Sequence, residues 1–558
     1  MKSTGSSFAL MLAFSVGALC ACSSSDQTDG NSSGSGGLAG VGGGSAGNGG
    51  GAVAGGTAGA SGQTGLGGTS TSGGRTGTGG ATPGTGGAVG TGGALVSGGA
   101  TGTGGTTSSG GSGRGGRTGA GGAEAGGAAD GGSSGAATGG SDTGAGGSTV
   151  VAACSTGTAQ SGDITVSMSD LQQKISGFGV SSAWAGDFRD AQNDPDMLWS
   201  TTTGAGLTLH RIRIGGGTTS ETKIAQKAVE YGVKVWATPW EVNRADTDRD
   251  NCPGNGSCDP PPKLVDPQDW ANRLVDFVNT MKDAGVPIYA ISAENEPDSG
   301  GMNATTSFTA SELADWIGSY LGPALANTDT LVMAPETMNW YGFPGYFDAI
   351  QQNSDAWNYV GIFAGHEYGL GPTNTEPAII EAGKEYWETE VDTGRASDDS
   401  TGDGISTALR TAEAIHNDLT KANLNAWHYW WLWAGGTSGV YNTDTNVWTK
   451  RLWVMGNFSR FVRPGFMRVS TSGSAPSGVL VSAYTNTADG TMAVVAINKN
   501  SSDSQISLFV SDNAPCTVTP WVTSASDSLA SKDPITVTDA RFSATLPGMS
   551  VTTFVGTP

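Results

Sequence analysis

The sequence is poor in everything that a metal site or a nucleic-acid surface requires. It has only 4 His, none clustered, and 28 Lys and Arg against 50 Asp and Glu, for a net charge of −22. Without clustered His there is no zinc-type ligand spacing. Without a basic stripe there is no footprint for phosphates, which excludes nucleic acid as a partner. A densely acidic substrate is disfavoured too, because like charges repel. Large apolar side chains are almost missing from residues 23–148, which are mainly Gly, Ser, Thr and Ala. Such a stretch cannot bury enough surface to offset its ordering entropy. Residues 23–150 are therefore expected to be a disordered tether, with a typical span on the order of 60 Å. No Gly-X-Y period is kept, which excludes a collagen-like fibre.

Long hydrophobic runs are lacking as well. The apolar core at residues 8–18 is too short to span a bilayer and reads as an export signal. It ends in Leu19-Cys20-Ala21-Cys22, followed by three Ser. This resembles a bacterial lipoprotein cleavage box, with residues 1–22 carrying the signal and Cys22 as the lipidated residue. The expectation is an exported protein, held at the outer membrane or cell surface by its acyl anchor alone. Of 6 Cys, four remain beyond the signal: Cys154, Cys252, Cys258 and Cys516. Four cysteines allow three pairings. Cys252 and Cys258 bracket a short loop, and Cys154–Cys516 would then tie the start of the folded part to a late strand.

From residue 175 to residue 463 strands and helices alternate. Strands are expected near 175–182, 207–214, 233–238, 286–292, 330–334, 359–364, 385–391 and 426–433. Helices are expected near 221–231, 270–284, 311–325, 405–419 and 451–461. Eight strands with helices between them argue an α/β fold, a (β/α)8 TIM barrel. Residues 464–558 instead carry short strands between turns, an all-β side domain. Residues 151–174 hold an early period-two strand at 163–168 that is expected to join it.

The fourth barrel strand ends in Ser-Ala-Glu-Asn-Glu-Pro at 292–297. Pro297 has no N–H for the ladder, so the strand stops with a carboxyl at the barrel mouth. The seventh strand ends in Tyr-Trp-Glu-Thr-Glu at 386–390. Strands four and seven face each other across the mouth of an eight-stranded barrel. Two facing carboxyls suit glycoside hydrolysis: one donates a proton to the leaving group, the other attacks the sugar. Glu294 and Glu388 sit two positions earlier and are expected on the same strand faces, deeper down. Trp184, Trp240, Trp427, Trp430 and Trp431 are candidate sugar platforms, with Trp240 and Trp431 favoured.

These stretches resemble glycoside hydrolase family 30. The resemblance runs through Gly177-Phe178-Gly179, the His-Arg-Ile-Arg-Ile-Gly run at 210–215, residues 292–297, 366–369 and 387–390, and the segment 450–469. It covers residues 163–558, and residues 522–530 are similar to the end of the bacterial xylanase branch. The resemblance implies Glu296 as acid/base and Glu390 as nucleophile of a retaining endo-xylanase. It implies Asn295 on the sugar 2-hydroxyl, Arg213 beside the nucleophile, and His366 and Tyr368 near Glu390. It implies a polysaccharide as partner, no cofactor, no metal and a monomer. Other family activities remain open: β-1,6-galactanase, β-1,6-glucanase, exo-xylosidase or glucosylceramidase-like. So does a non-catalytic glycan-binding protein. One departure stands out. The glucuronoxylan-specific branch places an Arg after the Trp-Trp of strand eight. Here Trp430-Trp431 is followed by no Arg or Lys before Lys450. The insertion at 243–264, after strand three, also lies on the active rim.

Overall fold

The computed structural model describes residues 156–184, 195–214, 219–240, 260–300 and 305–558. The leader, Cys22, the Gly-rich stretch, Cys154, Cys252 and Cys258 lie outside these residues, as does most of the insertion after strand three. Cys516 is disulfide-bonded.

Eight parallel strands close in chain order: Gly177–Ser181, Leu209–Ile214, Lys234–Pro239, Ile288–Ser292, Leu331–Thr337, Val360–His366, Glu385–Val391 and Ala426–Tyr429. They are strands one to eight. Closure comes from Gly177 and Phe178 of strand one pairing with Ala426 and Trp427 of strand eight. The interior is filled by Leu209, Trp236, Ala290, Met333, Ile362, Ala364, Trp387 and Ala426. The alternate residues face outward and form the larger core beneath the helices. His428 is stacked on Trp387 with centroids 5.5 Å apart and accepts a bond from Trp236 Nε1 at 2.9 Å. Its Nδ1 is therefore the protonated nitrogen and donates to Glu388 O at 3.1 Å. Strand one must carry Gly179 here, because a Cβ would sit 2.4 Å from the His428 ring.

The helices follow their apolar stripes. Pro267–Asp283 begins with Pro at its first turn, and the Asp266 side chain accepts from Asp269 N. It buries Trp270, Leu274, Val278 and Met281. The helix expected over 311–325 is three pieces: Ala310–Trp316, a π-turn Ile317–Leu321, and Gly322–Leu325. Pro323 cannot donate to the ladder, which accounts for the irregular turn before it. The aromatic run at 426–433 is not one strand. Ala426–Tyr429 stays in the barrel, whereas Trp431–Ala434 leaves it and pairs with Gly439–Asn442, which pairs with Val447–Trp448.

The side domain is a ten-stranded sheet folded on itself. The early strand Ile164–Lys174 is a central member, antiparallel to Met467–Ser472 and parallel to Ser504–Ser511. Phe542 and Phe554 meet across the fold at 5.3 Å. Strand Met492–Asn498 shows how the two domains share surfaces. Val494 and Ala496 face the sandwich core, while Ala493, Val495 and Ile497 join the barrel core. Asn457, on the last barrel helix Lys450–Ser459, binds Trp521 O at 3.0 Å and Thr553 Oγ1 at 3.1 Å.

Candidate active site

Glu296 follows strand four and is 5% exposed; Glu390 is the penultimate residue of strand seven and is 4% exposed. Both open into the same polar centre at the C-terminal mouth, where barrel chemistry is built. A carboxylate oxygen of each, and a ring nitrogen of His366, lie within 4.8 Å of one another. Beyond strand four the chain is still pinned: Asn295 N donates to Pro239 O at 3.0 Å, and Glu296 N to Glu336 O at 2.9 Å. Glu296 has φ 46°, a left-handed value that few non-Gly residues hold without support from neighbours.

The cation beside the nucleophile candidate is Arg211, not Arg213. The Arg211 guanidinium is fully buried and bonds Glu390 Oε2, with Nη2 donating to Asn295 Oδ1 at 2.7 Å. Nη2 also lies 3.2 Å from Glu336 Oε1, and Nε donates to Thr238 Oγ1 at 3.2 Å. Its flat face lies 4.5 Å from the Trp240 ring centroid. Arg213 is two residues further along strand two and has already reached the rim. It pairs with Glu221 at 3.4 Å and sits over Trp184 at 4.9 Å. The expectation failed on depth along the strand, because both Arg share a face and only the lower one reaches the centre.

His366, at the end of strand six, links the acids. Its Nδ1 is 3.1 Å from Glu296 Oε1 and its Nε2 is 3.3 Å from Glu336 Oε1. Burial opposes its charge, but Glu390, Glu296 and Glu336 outweigh burial and raise its pKa to about 10. A charged ring donates from both nitrogens, which suits a carboxyl oxygen on each side. Burial likewise opposes ionisation of Glu336, yet Arg211 and His366 hold that carboxyl at about 2. Burial pushes Glu390 above its ordinary value, and His366 and Arg211 pull it back. Tyr368 donates to Glu390 Oε1 at 2.8 Å. Burial and the carboxylates around it hold that phenol well above its ordinary pKa, so it stays a donor.

Glu336 was not anticipated. It lies near the end of strand five, after Pro335, as Glu296 precedes Pro297, so a Pro next to a Glu at a strand end was the available signal. Glu388 does not lie under Glu390, and Glu294 is fully buried just beyond strand four. On strand seven the pairing register shifts between Glu388 and Glu390. Glu388 consequently faces outward, where it accepts from Trp340 Nε1 at 2.6 Å and from the Glu390 backbone N–H at 3.2 Å. It packs with Glu367 and Asp418 behind strand seven, and burial with these neighbours pushes Glu388 and Asp418 well above the carboxylate range. Burial also lifts Glu367, to about 7.

The tryptophans divide differently from expectation. Trp240 is 4% exposed, with Arg211, Trp184 and Trp430 over it. Trp431 is half-buried, and its Nε1 donates to Ala183 O at 2.6 Å. Trp427 is fully buried and donates to Asp418. Trp184 is the open ring, at 45% exposure. Glu296, His366 and Glu390 have a spacing that a cation could bridge. Arg211 supplies positive charge at that point.

The barrel region 219–433 matches the glycosyl hydrolase family 30 TIM-barrel domain, and residues 465–554 match the family 30 beta sandwich domain. The chain is 31% identical over 409 residues to glucuronoxylanase XynC of Bacillus subtilis (strain 168), covering 72% of this chain and 93% of the relative. It is 26% identical over 326 residues to the lysosomal acid glucosylceramidase of Mus musculus, covering 52% and 60%. Among solved structures, a family 30 subfamily 8 xylanase from Clostridium acetobutylicum has a TM-score of 0.64 and 33% identity, covering 71% of this chain and 100% of that one. The two matched domains and the extent of the shared sequence establish that this chain belongs to glycosyl hydrolase family 30.

Proposed function

We propose that this chain is a retaining, endo-acting β-1,4-xylanase that does not depend on glucuronate side chains. The carrying observation is the pair Glu296 and Glu390, with oxygens within 4.8 Å of each other around a buried Arg211. Retention needs carboxyls about 5–5.5 Å apart, too close for a water to attack between them. Three carboxylates, Glu296, Glu336 and Glu390, face two cations, Arg211 and His366. One added proton balances the set, and a dry site favours balance. Arg211 pairs with Glu336 and Glu390 and not with Glu296, which leaves Glu296 the acid/base role.

The reaction then takes two steps. Glu390 attacks the anomeric carbon while Glu296 protonates the departing oxygen. Glu296, now a carboxylate, takes a proton from water, which releases the sugar from Glu390. Asn295 has its Oδ1 on Arg211, so its NH2 group is the part left for a sugar 2-hydroxyl. Tyr368 donates to Glu390 Oε1 and steadies that carboxyl.

The xylan reading draws on the xylanases among the relatives. The glucuronate reading draws on the rim sheet after strand eight. There the carboxyl of Asp444 takes the Gly436 N–H at 2.5 Å, and that of Asp403 accepts from Asn442 Nδ2 at 2.8 Å. Lys450 is spent on Asp527 O at 2.7 Å and Ser528 Oγ at 3.0 Å. A panel of linear xylan, arabinoxylan and glucuronoxylan tests the reading. Initial rates on xylans with and without glucuronate are expected within about fivefold, the most an exposed ion pair contributes, and products are a ladder of oligomers. Activity confined to glucuronoxylan, or xylose as the only product, would contradict it.

A further inference from the structure

Among the described residues three large aromatics are exposed: Trp184, Tyr231 and Tyr341. Tyr231 precedes strand three and lies at the opposite end of the barrel from the site. Trp184 follows strand one, and Tyr341 follows strand five. These strands stand across the mouth from each other in a ring of eight. An open ring therefore stands on each side of Glu296 and Glu390. Tyr341 is 83% exposed, and Leu370, on the neighbouring loop after strand six, is 60% exposed.

The loop that carries Tyr341 is rigid. Asn339 Oδ1 accepts from Tyr341 N at 3.0 Å and from Gly342 N at 3.2 Å. Trp340, the preceding residue, is buried and bonded to Glu388, and its ring lies 4.9 Å from Phe343. Its N–H meets Leu370 O at 3.4 Å, and Asn339 bridges Glu367, so the two loops are joined. A pinned backbone holding out one ring suits binding, because little freedom is lost when a ligand covers it.

The loop is also locked to the proton donor. Asp298, two residues after Glu296, accepts from Met338 N at 2.8 Å, and Glu296 N donates to Glu336 O at 2.9 Å. Trp184 belongs to the other side, 4.8 Å from Trp240 and 6.3 Å from Trp430. A glycosidic bond between the two carboxyls places its leaving group toward Glu296. We propose that Tyr341, with Leu370 beside it, is a platform for a sugar of the leaving-group half of the polymer. This rests on the xylanase reading and adds where the departing chain is held. Apolar sugar faces stack on flat rings, so the platform selects polymer over short substrates.

The test compares two substrates that share the same attacked xylobiosyl unit. β-Xylobiosyl fluoride loses only fluoride and places nothing on Tyr341, whereas xylohexaose places sugars there. Tyr341→Ala is expected to lower kcat/KM on xylohexaose about tenfold relative to its effect on the fluoride, and to shift the positions at which xylohexaose is cut. Tyr341→Phe, which keeps the flat face, is expected to restore the wild-type ratio. An unchanged ratio in Tyr341→Ala would overturn the proposal, since a purely structural effect lowers both substrates together. Failure of the xylanase reading shows separately, as wild-type protein inactive on xylohexaose. The ratio is then measured on the polymer that wild type does hydrolyse, against its matching glycosyl fluoride, with the same outcomes deciding.

Discussion

Glu390→Ala is expected to lower xylan hydrolysis on the order of 10⁴–10⁶-fold, the scale seen when an enzyme loses its nucleophile. That corresponds to about 5–8 kcal/mol of barrier. The variant should fold, because Arg211 keeps Glu336 as its partner and is not left as an uncompensated buried charge. Its chemistry separates the two carboxyl roles. In Glu390→Ala, azide enters from the face the carboxylate has vacated. One displacement then inverts the centre and gives an α-glycosyl azide. In Glu296→Ala, Glu390 still forms the covalent sugar adduct with an activated substrate. Azide attacks that adduct, and two inversions give the β-azide. NMR of the azide products reads this directly. The same anomer from both variants would mean the roles are misassigned.

Arg211→Met carries the second large effect, and Arg213→Met is its comparison. Arg211 is fully buried against Glu336 and Glu390, and breaking such a network costs about 3–5 kcal/mol. The melting temperature is expected to fall accordingly. Activity should also fall, on the order of 10²–10³-fold, because Glu390 and Asn295 lose the group that orients them. The pH profile gives the sign. Arg211 favours the ionised form of Glu390, so removing it raises the Glu390 pKa further. The nucleophile must be ionised, so the acidic limb of kcat/KM moves to higher pH. Arg213 is at the rim with Glu221, so Arg213→Met is expected to leave that limb in place. A shift in Arg213→Met and none in Arg211→Met would reverse the assignment.

The Arg pair shows where sequence reading reaches its limit. Strand two alternates apolar and polar residues clearly enough to locate both Arg on one face. Which of the two meets strand seven depends on the stagger of eight strands, which no local pattern encodes. The barrel itself was legible, because each βα unit carries its own apolar period and turn residues. Glu296 was readable as a candidate because it follows the apolar strand four, and Glu390 because it lies near the end of strand seven. Glu336 was hidden by ending strand five too early, at Ala334, three residues short of its observed end at Thr337. Glu388 was misplaced by an assumed regular pleat. The shift before Glu390 turns one carboxyl into the site and leaves the other behind it. Trp240 and Trp184 could not be ranked from sequence, because exposure of a ring is decided by what folds over it. Arg211 covers Trp240, and that contact comes from the same stagger.

The central claim is a covalent sugar on Glu390. A 2-deoxy-2-fluoro xylobioside with an activated leaving group slows the second step more than the first, so the adduct accumulates. After digestion, mass mapping of the inactivated protein is predicted to find one sugar adduct, on the strand-seven peptide, at Glu390. An adduct at any other residue, or turnover with an inverted product and no adduct, would contradict the account.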